Sequence, residues 1–143
     1  MSRPFAPGDQ VLLIDGKKRR YLLTLAQGKE FHSHSGVIRH DAVIGAVEGT
    51  TFRSSHGLAY TAIRPTLADF VLKMPRGAQV IYPMDLGPIL LAADIFPGAR
   101  VLESGVGSGA LSMTLLRAGA EVIGYELRED FAARAAKNVA AFL

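Results

Sequence analysis

The chain runs to 143 residues (15.3 kDa) with 49% apolar residues, which suits one typical domain or two small ones around a packed core and excludes a disordered chain. The absence of cysteine excludes a disulfide framework and thiol catalysis and leaves only His and carboxylates as metal ligands. A net charge of +3 hides an asymmetry: residues 1–65 carry nine Lys/Arg against five Asp/Glu (+4), and residues 66–143 carry seven against eight (−1).

The opening MSRPFAPGDQVLLIDG lacks the basic start, apolar centre and small-residue cleavage site of a secretory leader, and no apolar run is long enough to span a bilayer. A cytoplasmic protein without membrane contact is expected. Val11–Ile14 and Tyr21–Leu25 flank Asp15, Gly16 and the basic run Lys17, Lys18, Arg19, Arg20, which predicts a β-hairpin. The basic tip is either a solvated turn or a phosphate-binding patch. Thr50–Ser54 and Leu58–Ile63 repeat the pattern around SHG (55–57), and Val37–Ile38 and Ala42–Ile44 between them read as shorter extended pieces. Residues 5–64 therefore predict a small β domain.

The period changes after Arg64 and Pro65. Thr66 with Asp69 forms a capping box, and Leu67, Phe70, Val71 and Met74 fall at helical spacing, so a helix is expected from about Leu67 to Met74, ended by Pro75. After a connector, Met74–Pro83, Asp85 is expected to cap a second helix with Pro88 in its first turn and Ile89, Leu90 and Ala93 inward, ending before Pro97. There follow a strand (Arg100–Glu103), a glycine loop, a helix (about Gly109–Arg117), a strand (Glu121–Tyr125), the acid Glu126 and a helix (about Glu129–Phe142). Phe131, Ala135, Val139 and Phe142 line one face of that last helix. This β-α-β-α pattern leaves a parallel sheet with an open edge and open faces, so it reads as part of a longer protein.

The loop lies in VLESGVGSGALS (101–112) and supports two cofactor readings. As Gly105-x-Gly107-x-x-Ala110 followed by Glu126 it fits a dinucleotide fingerprint, in which helix N–H groups take a pyrophosphate and the acid takes a ribose. As Glu103-x-Gly105-x-Gly107-x-Gly109 it fits an S-adenosylmethionine loop, where Glu103 faces the amino-acid end and Glu126 the ribose hydroxyls. Glu103 favours the second, because a carboxylate repels pyrophosphate and attracts a cationic sulfonium with an ammonium group. A purely structural glycine turn is the third alternative. The histidines at 32, 34, 40 and 56 leave a metal site, a polar surface and an RNA-facing or interface role open.

The segments FHSHSG (31–36), IRHDA (38–42), RP (64–65), MPR (74–76), IYPMD (81–85) and RVLESGVGSG (100–109) together resemble the bacterial tRNA (adenine-58-N1)-methyltransferase family, often called TrmI. The resemblance runs in order from about Phe5 to Phe142. It implies an α/β fold: a small N-terminal β domain (1–65), a helical connector (66–99) and the first β-α-β-α portion of a class I, Rossmann-like S-adenosylmethionine-dependent methyltransferase (100–143), truncated. It implies S-adenosylmethionine as cofactor, held by Glu103, Gly105, Gly107, Ser108, Gly109, Ala110, Leu111, Glu126 and Leu127, with Gln79 in a connector that covers it. Tyr82 corresponds to a family tyrosine lining the target-base pocket, and His32 takes an RNA-facing role.

The same resemblance implies tRNA as substrate and a homotetramer, and without Cys or a helical His-x-x-x-His no metal is expected. The family's catalytic aspartate follows the fourth sheet strand and an adenine-contacting acid follows the third; both fall beyond Leu143. No catalytic residue is therefore expected within the chain, and the chain alone is expected to be inactive. Met84 stands where the family usually has Lys, which removes a charge beside the proposed base pocket, and Ser104 stands where Ala is common. A methyltransferase acting on a protein carboxylate and a non-catalytic cofactor- or RNA-binding module are the competing classes; the basic first half favours RNA over a protein substrate.

Overall fold

A computed structural model describes residues 3–143, which form two compact units, one up to Thr66 and one from Leu67. In the first unit, β1 (Gln10–Asp15), β2 (Arg20–Thr24), β5 (Thr51–Arg53) and β6 (Ala59–Ile63) make an antiparallel sheet in the order β2-β1-β6-β5. Leu13 pairs with Tyr21 on one side of β1 and with Ala62 on the other. A separate hairpin, β3 (Glu30–Ser33) with β4 (Gly36–Arg39), puts Phe31 opposite Ile38. The core joins the two: Phe5, Val11, Leu13, Leu25, Ile38, Val43, Tyr60 and Ala62 are buried together. Each large apolar side chain buried this way contributes roughly 1.5–3 kcal/mol. Tyr60, wholly buried, sits 5.9 Å from Phe31 and 6.1 Å from Tyr21, and its hydroxyl bonds Ser33 Oγ at 2.9 Å, so its one polar atom is satisfied.

Ala42–Ile44, expected to be extended, is instead the end of a single helical turn, α1 (His40–Val43), followed by Ile44. Side chains of this segment bond the turn before β3 rather than a ladder. His40 Nδ1 accepts the Ala26 N–H at 3.1 Å and Asp41 accepts the Gly28 N–H at 3.1 Å, while Ile44 N–H donates to His40 O at 2.9 Å. The two side-chain bonds link residues 14 and 13 positions apart, which no local pattern announces.

The second unit contains α2 (Leu67–Lys73), α3 (Pro83–Ala92), β7 (Arg100–Ser104), α4 (Ala110–Arg117), β8 (Glu121–Tyr125) and α5 (Glu129–Phe142). β7 and β8 pair in parallel, Arg100 with Glu121 through Ser104 with Tyr125. Leu102, Ile123 and Tyr125 share the exposed face, while Glu103 is buried on the other. α2 packs on α5 through Phe70 and Phe142, stacked at 4.7 Å.

The second helix departs from expectation. It starts at Pro83, two residues before Asp85, because proline's fixed φ suits the first helical position. Tyr82 is the cap residue through its backbone, its carbonyl accepting Asp85 N–H (2.9 Å) and Leu86 N–H (3.1 Å), and Asp85 lies in the first turn. Pro88 accordingly falls inside the helix. Leu86 is the buried residue, Ile89 and Leu90 are half-buried, and Ala93 is exposed because the helix has ended at Ala92 and the chain turns at Asp94 (φ 51°).

Candidate functional site

Between β7 and α4 the chain turns on three glycines in the left-handed region: Gly105 (φ 85°), Gly107 (φ 59°) and Gly109 (φ 86°). Side chains there would be strained, which is why glycine alternates. The loop is pinned to the end of β8. Gly105 N–H donates to Tyr125 O at 2.7 Å, Gly107 N–H to Glu126 Oε2 at 2.8 Å, and Gly109 N–H back to Val106 O at 3.0 Å. Gly109 is the cap residue of α4. Gly124 makes room for the loop: a Cβ there would lie 2.7 Å from Val106 Cγ2.

Two carboxylates flank this loop. Glu103 is 8% exposed, and its Oε2 accepts the Ser112 hydroxyl at 2.5 Å. Burial pushes its carboxyl above the usual glutamate range, opposed in part by the Ser112 bond. Among the described residues Oε1 has no hydrogen-bond partner. Glu126 is half-buried, and the N–H groups of Arg128 (3.0 Å to Oε1) and Gly107 hold its carboxyl below the usual range. It therefore stays ionised while bracing the loop. Each oxygen bonds one N–H and keeps acceptor capacity.

Ser108 is 3% exposed, its hydroxyl oxygen buried without a partner, and its carbonyl accepts Asn138 Nδ2 at 2.9 Å. Ala110 is buried, Leu111 half-buried and Leu127 97% exposed. The structure thus gathers Glu103, Gly105, Gly107, Ser108, Gly109, Ala110, Leu111 and Glu126 at one strand-end, with Leu127 just beyond. Gln79 is exposed in the connector beside half-buried Ala78, whose Cβ would lie 3.5 Å from one placed on Gly107. Tyr82, 42% exposed, precedes α3, and Met84 is exposed in its first turn. His32 belongs to the other unit, on β3, with Nε2 3.2 Å from Glu30 Oε2. Among the described residues no cluster of three or more His, Asp or Glu could hold a metal, and no helix is long and apolar enough to cross a membrane.

Sequence reasoning missed Ser112, Gly124 and Asn138. Ser112 shows no signal, since its partner lies across the loop. Asn138 could have been found as the polar residue on the inward face of α5, next to Val139 and one turn after Ala135.

This arrangement, a buried acid before a left-handed glycine loop and a second acid after the adjacent parallel strand, sits in a chain with clear relatives. Residues 4–52 match the TrmI-like N-terminal family, and residues 58–140, more than half the chain, match the family described as tRNA methyltransferase complex GCD14 subunit. The chain is 41% identical over 135 residues to tRNA (adenine(58)-N(1))-methyltransferase TrmI of Thermus thermophilus, covering 92% of this chain and 53% of that protein. It is 34% identical over 131 residues to tRNA (adenine(57)-N(1)/adenine(58)-N(1))-methyltransferase TrmI of Methanocaldococcus jannaschii, covering 90% and 45%. The crystal structure of tRNA (m1A58) methyltransferase TrmI from Aquifex aeolicus superposes with a TM-score of 0.82 at 34% identity, over 97% of this chain and 54% of that one. A SAM-dependent O-methyltransferase from Thermotoga maritima superposes at 0.91 and 34% identity, over 97% and 53%. The chain spans about half the length of the curated relatives it matches. The fold is that of S-adenosylmethionine-dependent methyltransferases, and the chain belongs to the tRNA methyltransferase complex GCD14 subunit family.

Proposed function

We propose that this chain carries the S-adenosylmethionine-binding part of a tRNA (adenine-58-N1)-methyltransferase. The observation that carries the reading is the pair Glu103 and Glu126 on either side of the left-handed glycine loop, in a chain 41% identical to an enzyme of that name. The donor set fits the cofactor: a buried carboxylate with an unused oxygen suits an ammonium group, and a solvated carboxylate with spare acceptor capacity suits a ribose diol. The same set opposes a dinucleotide, whose pyrophosphate would meet Glu103.

In this reading Glu103 attracts the amino-acid end, Glu126 orients the ribose and keeps Gly107 in place, and Ser108 to Leu111 form the wall beneath the cofactor. Leu127 packs against the adenine and Gln79 covers it from the connector. Bound S-adenosylmethionine supplies an already activated methyl group, so positioning and water exclusion are the protein's part. The target base is buried in folded tRNA and must be exposed or flipped, with Tyr82 packing on it and His32 facing the RNA. The family resemblance further supports a cytoplasmic homotetramer.

Titration calorimetry with S-adenosylmethionine and NAD separates the cofactor readings: binding of the first, displaced by S-adenosylhomocysteine, is expected, and binding of NAD alone would restore the dinucleotide alternative. Methyl-labelled donor with an unmodified tRNA transcript is expected to label adenine 58 and not a transcript with guanine there. Label appearing on protein carboxylates instead would move the substrate class.

A further inference from the structure

Beside the glycine loop lies one buried polar side chain that the cofactor reading does not use. Asn138, 4% exposed in the second half of α5, donates from Nδ2 to Pro75 O at 2.9 Å and to Ser108 O at 2.9 Å. Those carbonyls belong to two segments without regular structure, the connector after α2 and the glycine loop, which are 33 positions apart. An amide nitrogen has two N–H groups, so both donors are spent on holding two pieces of backbone together.

The surrounding helix face serves the same contact. Phe131, Ala135 and Asn138 lie at i, i+4 and i+7 on α5. A Cβ on Gly77 would come 3.0 Å from Phe131 Cε1, and one on Gly109 would come 3.5 Å from Ala135 Cα, so connector and loop both run close against this stripe. The peptide plane adds a mechanical consequence. Ser108 O and Gly109 N–H belong to one rigid unit, so fixing the carbonyl on Asn138 turns the N–H towards Val106 O, which it meets at 3.0 Å. The left-handed shape of the loop is thereby tied to the anchor point of the connector, four residues before Gln79 and seven before Tyr82.

We infer that Asn138 is a positioning residue that couples the connector to the glycine loop, so that the two order together and S-adenosylmethionine binds to a pre-shaped pair of segments. This rests on the proposed cofactor reading. A ligand that orders one segment then stabilises the other through the shared amide, and loss of the amide makes the ligand order both.

The test uses Asn138→Leu, close in volume and without donors, and Thr114→Val as a control. Thr114 is also buried, but its hydroxyl bonds only Ala110 O within α4. Hydrogen exchange without ligand is expected to accelerate in Asn138→Leu jointly over 76–80 and 105–109, and affinity for S-adenosylmethionine to fall at least tenfold. Thr114→Val is expected to lower the thermal midpoint while leaving both quantities near wild type. The inference is overturned by acceleration in one segment or neither, by an unchanged affinity, or by equal effects of the control. If the wild-type chain binds no S-adenosylmethionine, the cofactor reading fails, and the ligand-free exchange still decides the coupling by the same criteria.

Discussion

Replacing Glu103 by Gln separates what this side chain does for folding from what it does for binding. The carboxyl is buried beside α4, and only the Ser112 hydroxyl compensates it. Glutamine keeps an oxygen to accept that hydroxyl and removes a poorly solvated charge. In the proposed site the lost charge is the partner of the ligand's ammonium. A hydrogen bond to a charged group contributes about 1.5–3 kcal/mol, so the dissociation constant for S-adenosylmethionine should rise roughly 10- to 150-fold. Stability should move the other way. Because burial raises the folded-state pKa of Glu103, the folded chain holds its proton more tightly than the unfolded chain does. Its contribution is therefore most favourable below the ordinary glutamate range and is lost as pH rises through the raised value. Glu103→Gln has no such loss, so the variant and wild type should unfold alike in mild acid, with the variant gaining relative stability as pH rises to neutrality. Calorimetric titration at about pH 7.5 and thermal unfolding followed by circular dichroism from about pH 4 to 8 measure the two effects. Unchanged affinity, or a stability gap that shrinks with rising pH, would refute the reasoning.

Three further outcomes follow from the same geometry. Gly124→Ala puts a methyl 2.7 Å from Val106 Cγ2 and should cost about 1–3 kcal/mol in thermal unfolding, most of it recovered in the double variant with Val106→Ala; an undisturbed midpoint would contradict the packing. Lys17→Ala with Lys18→Ala removes two exposed cations from the β1–β2 tip, and the salt dependence of tRNA binding should flatten by about 0.7–0.9 in log–log slope for each phosphate that the tip no longer neutralises. The same slope as wild type would mean that the tip is only solvated. Tyr82→Ala should depress methyl transfer to tRNA far more than S-adenosylmethionine binding, and equal turnover would remove Tyr82 from the base pocket.

Much of the fold was legible because its signals are local. The β1–β2 and β5–β6 hairpins show apolar runs around turn residues, and α5 carries its apolar stripe from Phe131 to Phe142 along one face. The glycine loop is the clearest case, since left-handed backbone at 105, 107 and 109 is a conformation that glycine adopts without help from its surroundings. The turn at His40–Val43 was not legible, because it is held by bonds to Ala26 and Gly28, and the start of α3 was misplaced because an acid at 85 resembles a cap more than Tyr82 does.

Residue order by itself determined where the backbone bends, which stretches seek burial and which two acids bracket the loop. Tertiary structure alone decided what those acids meet: Glu103 faces Ser112 in a buried setting that raises its pKa, whereas Glu126 faces backbone N–H groups that lower its own. It also decided that Gly124 yields space to Val106 and that Asn138 joins Pro75 to Ser108. Backbone preference is set within a few residues, but desolvation and hydrogen-bond pairing depend on atoms brought together from distant parts of the chain.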